Sequence, residues 1–174
     1  MITTEWEERV TAAWASMEER SEAEFLMLIE ELVKELDPEH PVGLFERACS
    51  LDSTGHSDLA VPLYTQAIEL GLTGYRRRRA SIQLASSLRN VGDLQRSVAI
   101  LEAERELPAD ELSDAVAAVL ALVLTDAGRE REAVSIAVGA LAPHLPRYQR
   151  SMANYARLLV EPDPAADPEA DVRS

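Results

Sequence analysis

The sequence predicts an all-α protein built as a stack of helical hairpins, and three observations predict it. Apolar residues make up 47% of the 174 residues and aromatic residues only 5%, which favours helices packed closely through small side chains. No stretch alternates apolar and polar positions with β-branched residues, as a half-buried strand would. A unit made of a helix, a glycine break and a second helix occurs three times, at spacings of 37 and 36 residues.

Two helices are expected in the acidic N-terminal segment, residues 1–40. Apolar residues from Trp6 to Met17 recur at helical spacing and form one side of the first helix. Ser21 and Glu24 have the spacing of a capping box, which opens the second helix. We expect these two helices to form a hairpin that packs on the repeats.

The three repeated units occupy residues 41–145, and their breaks fall at Gly55, Gly92 and Gly128. Glycine suits the residue after a helix because it adopts a left-handed conformation without a Cβ clash. Small residues lie seven positions before and five positions after each glycine, which lets neighbouring helices approach closely. These small residues are Ala48, Ala85 and Ala121, and then Ala60, Ser97 and Ala133.

The second helix of the first unit carries a recognisable pattern. It reads Gly55-x4-Ala60-Val61-x2-Tyr64-x2-Ala67-Ile68-x-Leu70. This resembles the second-helix motif of the tetratricopeptide-repeat (TPR) family, and the resemblance covers about residues 41–145. The longer repeat and the run from Tyr75 to Arg79 look more like a bacterial subgroup of small TPR proteins. Glu104 departs from the pattern, because a small residue is expected at its position. The register of that helix is therefore left open.

The resemblance implies a right-handed solenoid of about nine helices, in which the first helix of each hairpin lines a concave groove. It also implies a non-enzymatic protein that binds a protein or peptide partner. Residues 146–160 are expected to form a single helix that caps the last hairpin. The segment 161–174 is rich in Pro, Asp and Ala, so we expect a disordered acidic tail.

The net charge of −14 argues against nucleic acid and anionic membranes as partners. The acidity belongs to the two ends, since residues 1–40 have a net charge of −9 and residues 161–174 of −4, whereas residues 41–160 have −1. We therefore consider that the acidic ends could dock on basic parts of the repeats and occlude them. The longest uncharged apolar run, Ala115 to Thr125, is too short to span a bilayer.

Catalytic and metal-binding motifs are not found in the sequence, which has no phosphate-binding glycine loop, no His-Glu-x-x-His and no Cys-x-x-Cys. The three histidines, His40, His56 and His144, fall at helix breaks and are expected to be turn or capping residues. Cys49, the single cysteine, is expected to be a buried core residue. We therefore expect no enzymatic activity, no metal and no cofactor. With no secretion signal visible at the N-terminus and no disulfide to form, a reducing cytoplasm is the expected compartment.

Two rows of hydrogen-bond donors are the candidate binding residues. The central donor stripe follows the helical positions i, i+3, i+7, i+10 and i+14. It consists of Arg76, Arg79, Gln83, Ser86 and Asn90, with Arg89 beside it. The terminal donor stripe, spaced i, i+3, i+7 and i+10, consists of Arg147, Arg150, Asn154 and Arg157. On the other side of the central helix, Leu84, Ala85, Leu88 and Val91 are apolar.

Arginine and amide donors suit a carboxylate or a peptide backbone, so an acidic or C-terminal peptide is the expected partner of both donor stripes. Two alternatives stay open at this point. The stripes could be solvated faces paired with the chain's own acids, or they could bind a small anion. The protein would in that last case be a sensor or regulator of a small ligand or a signalling peptide.

Self-association is a further alternative. The helix expected at residues 109–127 is apolar nearly all round, from Ala115 to Leu124. Such a helix must be buried on every side. Either neighbouring helices of the same chain cover it, or it forms a homodimer interface.

Overall fold

The computed structural model describes residues 2–161, and within that range all regular secondary structure is helical, with no strand. The nine α-helices are α1 (Thr4–Ala15), α2 (Glu22–Val33), α3 (Pro41–Ser53), α4 (Ser57–Glu69), α5 (Gly74–Asn90), α6 (Leu94–Arg105), α7 (Ser113–Asp126), α8 (Glu130–Leu141) and α9 (Gln149–Leu158). Short 3-10 helices lie at Met17–Glu19 and Ala142–His144. The predicted all-α class is confirmed. Apart from Glu161, the predicted acidic tail lies outside the described residues.

Two compact units divide the chain, one up to residue 100 and the other from residue 101, so that the division falls inside α6. We describe each unit by itself. The division predicted from the sequence, with limits at residues 40, 145 and 160, stays a prediction. In the described part of the chain, no helix combines the length and the hydropathy needed to cross a bilayer.

The N-terminal helices α1 and α2 form the predicted hairpin around their own apolar cluster. Trp6 is buried in this cluster and its indole Nε1 donates to the carbonyl of Leu32 at 2.8 Å. The capping box is present, because Ser21 Oγ accepts from the Glu24 N–H while Glu24 Oε2 accepts from the Ser21 N–H. This box satisfies donors at the start of α2 that the helix itself leaves unpaired.

Helices α3, α4 and α5 pack on one another around the main core of the first unit. Phe45 and Tyr64 fill it, with ring centroids 6.2 Å apart. Ala48, Ala60 and Ala67 are completely buried, as the register of small residues predicts. Their small volume lets the three helices approach closely, which brings the first turns of α3 and α5 next to each other.

The three glycine breaks end their helices in the same way. Gly55, Gly92 and Gly128 have φ angles of 89°, 87° and 73°, the left-handed region that the sequence predicts for them. The residue after each glycine donates its N–H to the carbonyl five positions earlier, at 2.8 to 2.9 Å. This recurring cap stops each first helix at the same point of the repeat.

The sixth helix keeps a regular buried row despite its departure from the repeat pattern. Ser97, Val98 and Leu101 are buried, and Glu104 continues the row at 2% exposure. A carboxylate therefore occupies the place where a small residue is expected. Such a group is costly to bury unless it has partners.

In the second unit α7 packs on α8, and α8 packs on α9. Val116, Leu120, Val123 and Leu124 of α7 are buried, but Leu122 is 53% exposed. Within the second unit, α8 and α9 therefore leave the side of α7 that carries Leu122 exposed, and coverage of that side by other helices of the same chain stays a prediction. The homodimer alternative stays a prediction.

Candidate binding surfaces on α5 and α9

The central donor stripe lies along α5 as predicted, since all five of its residues fall within Gly74–Asn90. On the other side of the helix Leu84, Ala85 and Leu88 are buried in the core. Val91 is the exception to the predicted apolar side, because it follows the last helical residue and is 48% exposed.

At Arg76 the structure shows pairing with the chain's own acids. Its two terminal guanidinium nitrogens donate to the carboxylate of Glu7 at 2.9 and 2.6 Å. Its Nε donates to Glu46 at 3.1 Å, and the other oxygen of Glu46 accepts from Trp14 Nε1 at 2.9 Å. These bonds raise the pKa of Arg76, mainly through Glu7. The network joins α1, α3 and α5, so one acid of the N-terminal hairpin does dock on the central donor stripe.

Further along α5, Gln83 also turns toward the interior. Its side-chain oxygen accepts from the thiol of Cys49 at 3.4 Å. Cys49 is 1% exposed, and burial raises the pKa of its thiol to about 12. Burial likewise raises the pKa of Tyr64. Cys49 is therefore a protonated core residue, as predicted, and lacks the lowered pKa that a nucleophile needs.

Asn90, at the end of the central donor stripe, takes part in a polar network between α3, α4 and α5. Its amide donates to Ser57 Oγ at 3.0 Å. Asp52 accepts from Ser57 Oγ at 3.3 Å and from Ser87 Oγ at 2.7 Å. This network satisfies polar groups at the end of the hairpin, where α3 and α5 stop.

Arg79 differs from its neighbours on the stripe. Its guanidinium carbon lies 5.3 Å from the ring centroid of Phe45 and 5.9 Å from that of Tyr75. Among the described residues no carboxylate pairs with it. It lines a cavity of about 570 Å³ at the start of α5, together with Arg76. Of the two arginines that line this cavity, Arg79 is thus the one with no carboxylate partner among the described residues. Ser86 and the neighbouring Arg89 are half-buried on the same helix.

The terminal donor stripe is only partly helical. Helix α9 begins at Gln149, so Arg147 lies before it, and Tyr148 has a left-handed φ of 69°. The helix itself spans Gln149–Leu158, within the segment 146–160 in which the sequence predicts a capping helix. Within α9, Arg157 donates to Asn154 Oδ1 at 3.1 Å and pairs with Glu161 at 3.4 Å.

The start of α9 borders a shallow cavity of about 760 Å³. It is lined by Pro146, Arg147, Tyr148, Gln149, Arg150, Ser151 and Asn154. Arg147 and Arg150 are exposed, and no acid within residues 2–161 pairs with either. The two arginines before and in the first turn of α9 are therefore solvated donors, in contrast to Arg76 on α5.

The histidines sit at helix starts and breaks, as predicted. His40 caps α3, since its Nδ1 accepts from the N–H of Val42 at 3.3 Å. His56 Nε2 lies 2.7 Å from a Glu22 oxygen. His144 Nε2 lies 2.9 Å from an oxygen of Asp114. The described part of the chain holds no group of three or more His, Cys, Asp or Glu side chains that could bind a metal.

Sequence reasoning missed the buried charges. Glu46 and Arg78 are 4% and 7% exposed, yet neither was singled out. The sequence does contain a signal at Glu46, which interrupts an apolar run between Phe45 and Ala48 in a helix that buries both neighbours. A charged residue in such a position predicts an internal ion pair.

The repeated hairpins, their glycine caps and the register of small residues define a helical repeat protein. The chain belongs to the tetratricopeptide repeat family, because the family described as Tetratrico peptide repeat matches residues 41–159. Proteins with this repeat serve in general as scaffolds for protein interactions.

Two solved structures have a similar fold. One is a kinesin light chain with nearly identical TPR-like repeats from Podosopora anserina, and the other is its Q17M variant. Each has a TM-score of 0.67 and 21% sequence identity, covering 89% of this chain and 86% of the other. At this identity the likeness shows the fold alone. The comparison with curated proteins gave no match.

Proposed function

We propose that this protein is a non-enzymatic adaptor that binds an acidic or C-terminal peptide of another protein through the half-buried donors on the polar side of α5. Its membership of a repeat family that serves protein interaction supports the general role. The observation that supports this surface is Arg79, whose guanidinium lines a cavity and has no acid partner among residues 2–161. A charged donor without an internal partner is available to an external carboxylate.

The structure narrows the set of residues that this proposal needs. Arg76, Gln83 and Asn90 make hydrogen bonds within the protein, so we assign them to positioning and support. Arg79 then makes the charged contact, with Ser86 and Arg89 further along the same helix. In α9, Arg147, Arg150, Asn154 and Arg157 form a second, separately testable contact surface.

Charge reversal tests the proposal on each surface. Immobilised wild-type protein, Arg79→Glu and Arg150→Glu are compared for the partners they capture from the native lysate. Arg105→Glu is the matched control, because Arg105 is an exposed arginine of α6 outside both donor stripes. We expect a specific partner to be lost with Arg79→Glu and kept with Arg105→Glu. If Arg79→Glu captures the same set of partners as wild type and Arg105→Glu do, the α5 surface is not the binding site.

The captured partner then defines its own chemical test. A synthetic peptide from its C-terminus is titrated with a free carboxylate and with a carboxamide end. Binding only by the free carboxylate supports the proposed recognition. Equal binding of the two peptides means that an internal segment is recognised, which contradicts the terminal-carboxylate form of the proposal.

A small-ligand sensor or regulator is the alternative, and the cavity beside Arg79 favours it. A thermal-shift screen separates the two functions, because small anions that raise the melting temperature support the sensor.

We also propose a cytoplasmic location, kinship with the small bacterial TPR proteins and no binding of nucleic acid. A homodimer through the open side of α7 is tested by light scattering of wild type and Leu122→Glu.

A further inference from the structure

The cavity at the start of α5 has the size and composition of a small-molecule site. Its volume of about 570 Å³ lies within the range of about 300 to 1,000 Å³ usual for ligand pockets. It is lined by His40, Pro41, Val42, Gly71, Leu72, Thr73, Tyr75, Arg76 and Arg79. None of these nine residues is acidic, although the whole chain has a net charge of −14. The composition of the wall therefore selects for an anion.

Arg79 is a rigid donor in this wall. Its guanidinium lies near the faces of Phe45 and Tyr75, at 5.3 and 5.9 Å from the ring centroids. Contacts with aromatic faces restrict the orientation of a guanidinium and leave the N–H groups at its edge free to donate. A planar donor pair of this kind matches the two oxygens of a carboxylate.

His40 supplies a second donor through a fixed tautomer. Its Nδ1 accepts a hydrogen bond from the N–H of Val42 at 3.3 Å, so in the neutral ring the proton is on Nε2. The wall to which this residue belongs therefore has an N–H donor even when the imidazole is uncharged.

The rest of the wall is largely apolar. Pro41 and Val42 come from the start of α3, Leu72 from the connection between α4 and α5, and Tyr75 from the first turn of α5. A bare inorganic ion would leave these surfaces in contact with water. A ligand with an apolar body would cover them, which contributes binding free energy through the apolar area removed from water.

We propose that this cavity binds a carboxylate carried on a small apolar body, with Arg79 and the Nε2–H of His40 holding the carboxylate. The inference rests in part on the proposed function, because Arg79 belongs to both sites. His40, Leu72 and Tyr75 belong to the cavity alone, and Gln83 belongs to the central donor stripe alone. Variants of these residues therefore separate the two.

Glu7 competes with such a ligand. It takes two donors of Arg76, which also lines the cavity. Glu7→Gln keeps the shape of the side chain but removes its charge and one acceptor oxygen, which weakens its hold on the terminal nitrogens of Arg76. We expect this variant to bind the ligand more tightly than wild type does, an effect that a passive cavity would not show.

Benzoate is the probe, and benzamide is its neutral isostere. A titration followed by amide NMR shifts is expected to show saturable changes at Val42, Leu72 and Thr73 with benzoate and none of comparable affinity with benzamide. Arg79→Gln and His40→Asn should each weaken benzoate binding by about tenfold or more. His40→Asn retains a side chain suited to capping α3. Arg105→Gln, outside the cavity and both donor stripes, should bind benzoate as wild type does.

The outcomes that overturn the proposal are specific. They are equal shifts by benzoate and benzamide, unchanged affinity in both Arg79→Gln and His40→Asn, or inorganic phosphate binding as tightly as benzoate. If circular dichroism shows that Arg79→Gln is unfolded, Arg79→Lys replaces it. That variant keeps the charge and loses the planar fork, so we expect weaker binding than in wild type.

A peptide pair distinguishes the two sources of the carboxylate. Acetyl-Ala-Ala-Leu with a free carboxylate, binding more tightly than benzoate and than its carboxamide, identifies a chain end as the ligand. Tighter binding by benzoate identifies a free organic acid. If partner capture fails in wild type while benzoate binds in the cavity, the adaptor proposal fails and the site stands. If wild type captures a partner that Arg79→Glu loses, but benzoate does not bind to wild type, the adaptor proposal stands and the cavity proposal fails.

Discussion

The two donor stripes have the same spacing in sequence and opposite surroundings in the structure. Arg76 and Arg147 occupy the first position of each stripe, yet Arg76 binds two internal carboxylates and Arg147 is exposed before its helix begins. At the third position Gln83 accepts from a buried thiol, whereas Asn154 is exposed and its side-chain oxygen accepts from Arg157. Helical spacing predicts which side chains share a face, and packing decides whether that face meets protein or solvent.

The neighbours of each helix explain the difference. Helix α5 packs on α3 and α4, and a side chain of α1 reaches it, so acids and a thiol lie within reach of its polar face. In the second unit α9 packs on α8 and the short 3-10 helix. The predictions below compare equivalent positions of the two stripes, from the largest expected effect to the smallest.

The first positions should differ most. Arg76→Ala leaves Glu46, which is 4% exposed, without its charged partner, and we expect a loss of about 3 kcal/mol in the free energy of unfolding. Arg147→Ala should change it by less than about 0.5 kcal/mol, since Arg147 is exposed. Urea unfolding followed by circular dichroism measures both. Equal losses would mean that the Glu46 network does not distinguish the two stripes.

Alkaline pH should lower the free energy of unfolding through Cys49, which lies in the core next to the central donor stripe. The folded pKa of Cys49 is raised to about 12, so its contribution to stability is complete below the ordinary thiol pKa and is lost as pH rises toward 12. The expected loss is about 1.4 kcal/mol per pH unit above roughly 9, or about 2 kcal/mol by pH 10.5. Unfolding free energies at pH 8 to 10.5 test this. Cys49→Ala should reduce the slope below pH 10 and leave the smaller part above it, which the raised pKa of Tyr64 contributes; an unchanged slope would contradict the assignment.

The third positions should show a smaller contrast. Gln83→Ala removes the acceptor of the buried Cys49 thiol, and we expect a loss of about 1 kcal/mol in unfolding free energy. Asn154→Ala is the matched control, for which a change under about 0.5 kcal/mol is expected because the residue is exposed. If the control costs as much as Gln83→Ala, the hydrogen bond to Cys49 is not what stabilises α5.

The start of α9 should give the smallest effect, and one of opposite sign. Tyr148 has a φ of 69° and is 74% exposed, so its side chain adds strain and little packing. Tyr148→Gly removes the Cβ clash of the left-handed backbone, partly offset by greater freedom of the unfolded chain, for a net gain of about 0.5 kcal/mol. Thermal unfolding of the variant beside Tyr155→Gly, a helical position that should be destabilised, checks the sign.

Sequence patterns predicted the fold well because those patterns are local. The capping box at Ser21, the left-handed glycines and the register of Ala48 and Ala85 depend on neighbouring residues or on the repeat itself. The site was predicted less completely. Pairing of Arg76 with Glu7 joins residues 69 positions apart, and no spacing rule reports such a contact. The sequence predicted His40 to be a turn or capping residue, and it does cap α3. Its place in the cavity wall, however, depends on how α3 and α5 pack.

Both tryptophans of the chain, Trp6 and Trp14, lie in α1, outside the residues that match the repeat family. Their indole N–H groups donate to Leu32 and Glu46, and the rings of Trp14 and Phe25 pack edge to face with centroids 5.0 Å apart. Intrinsic fluorescence of this protein therefore reports on the N-terminal hairpin, while circular dichroism reports on all the helices. An emission change that precedes the loss of helix signal would time the release of α1 from the repeats without any label.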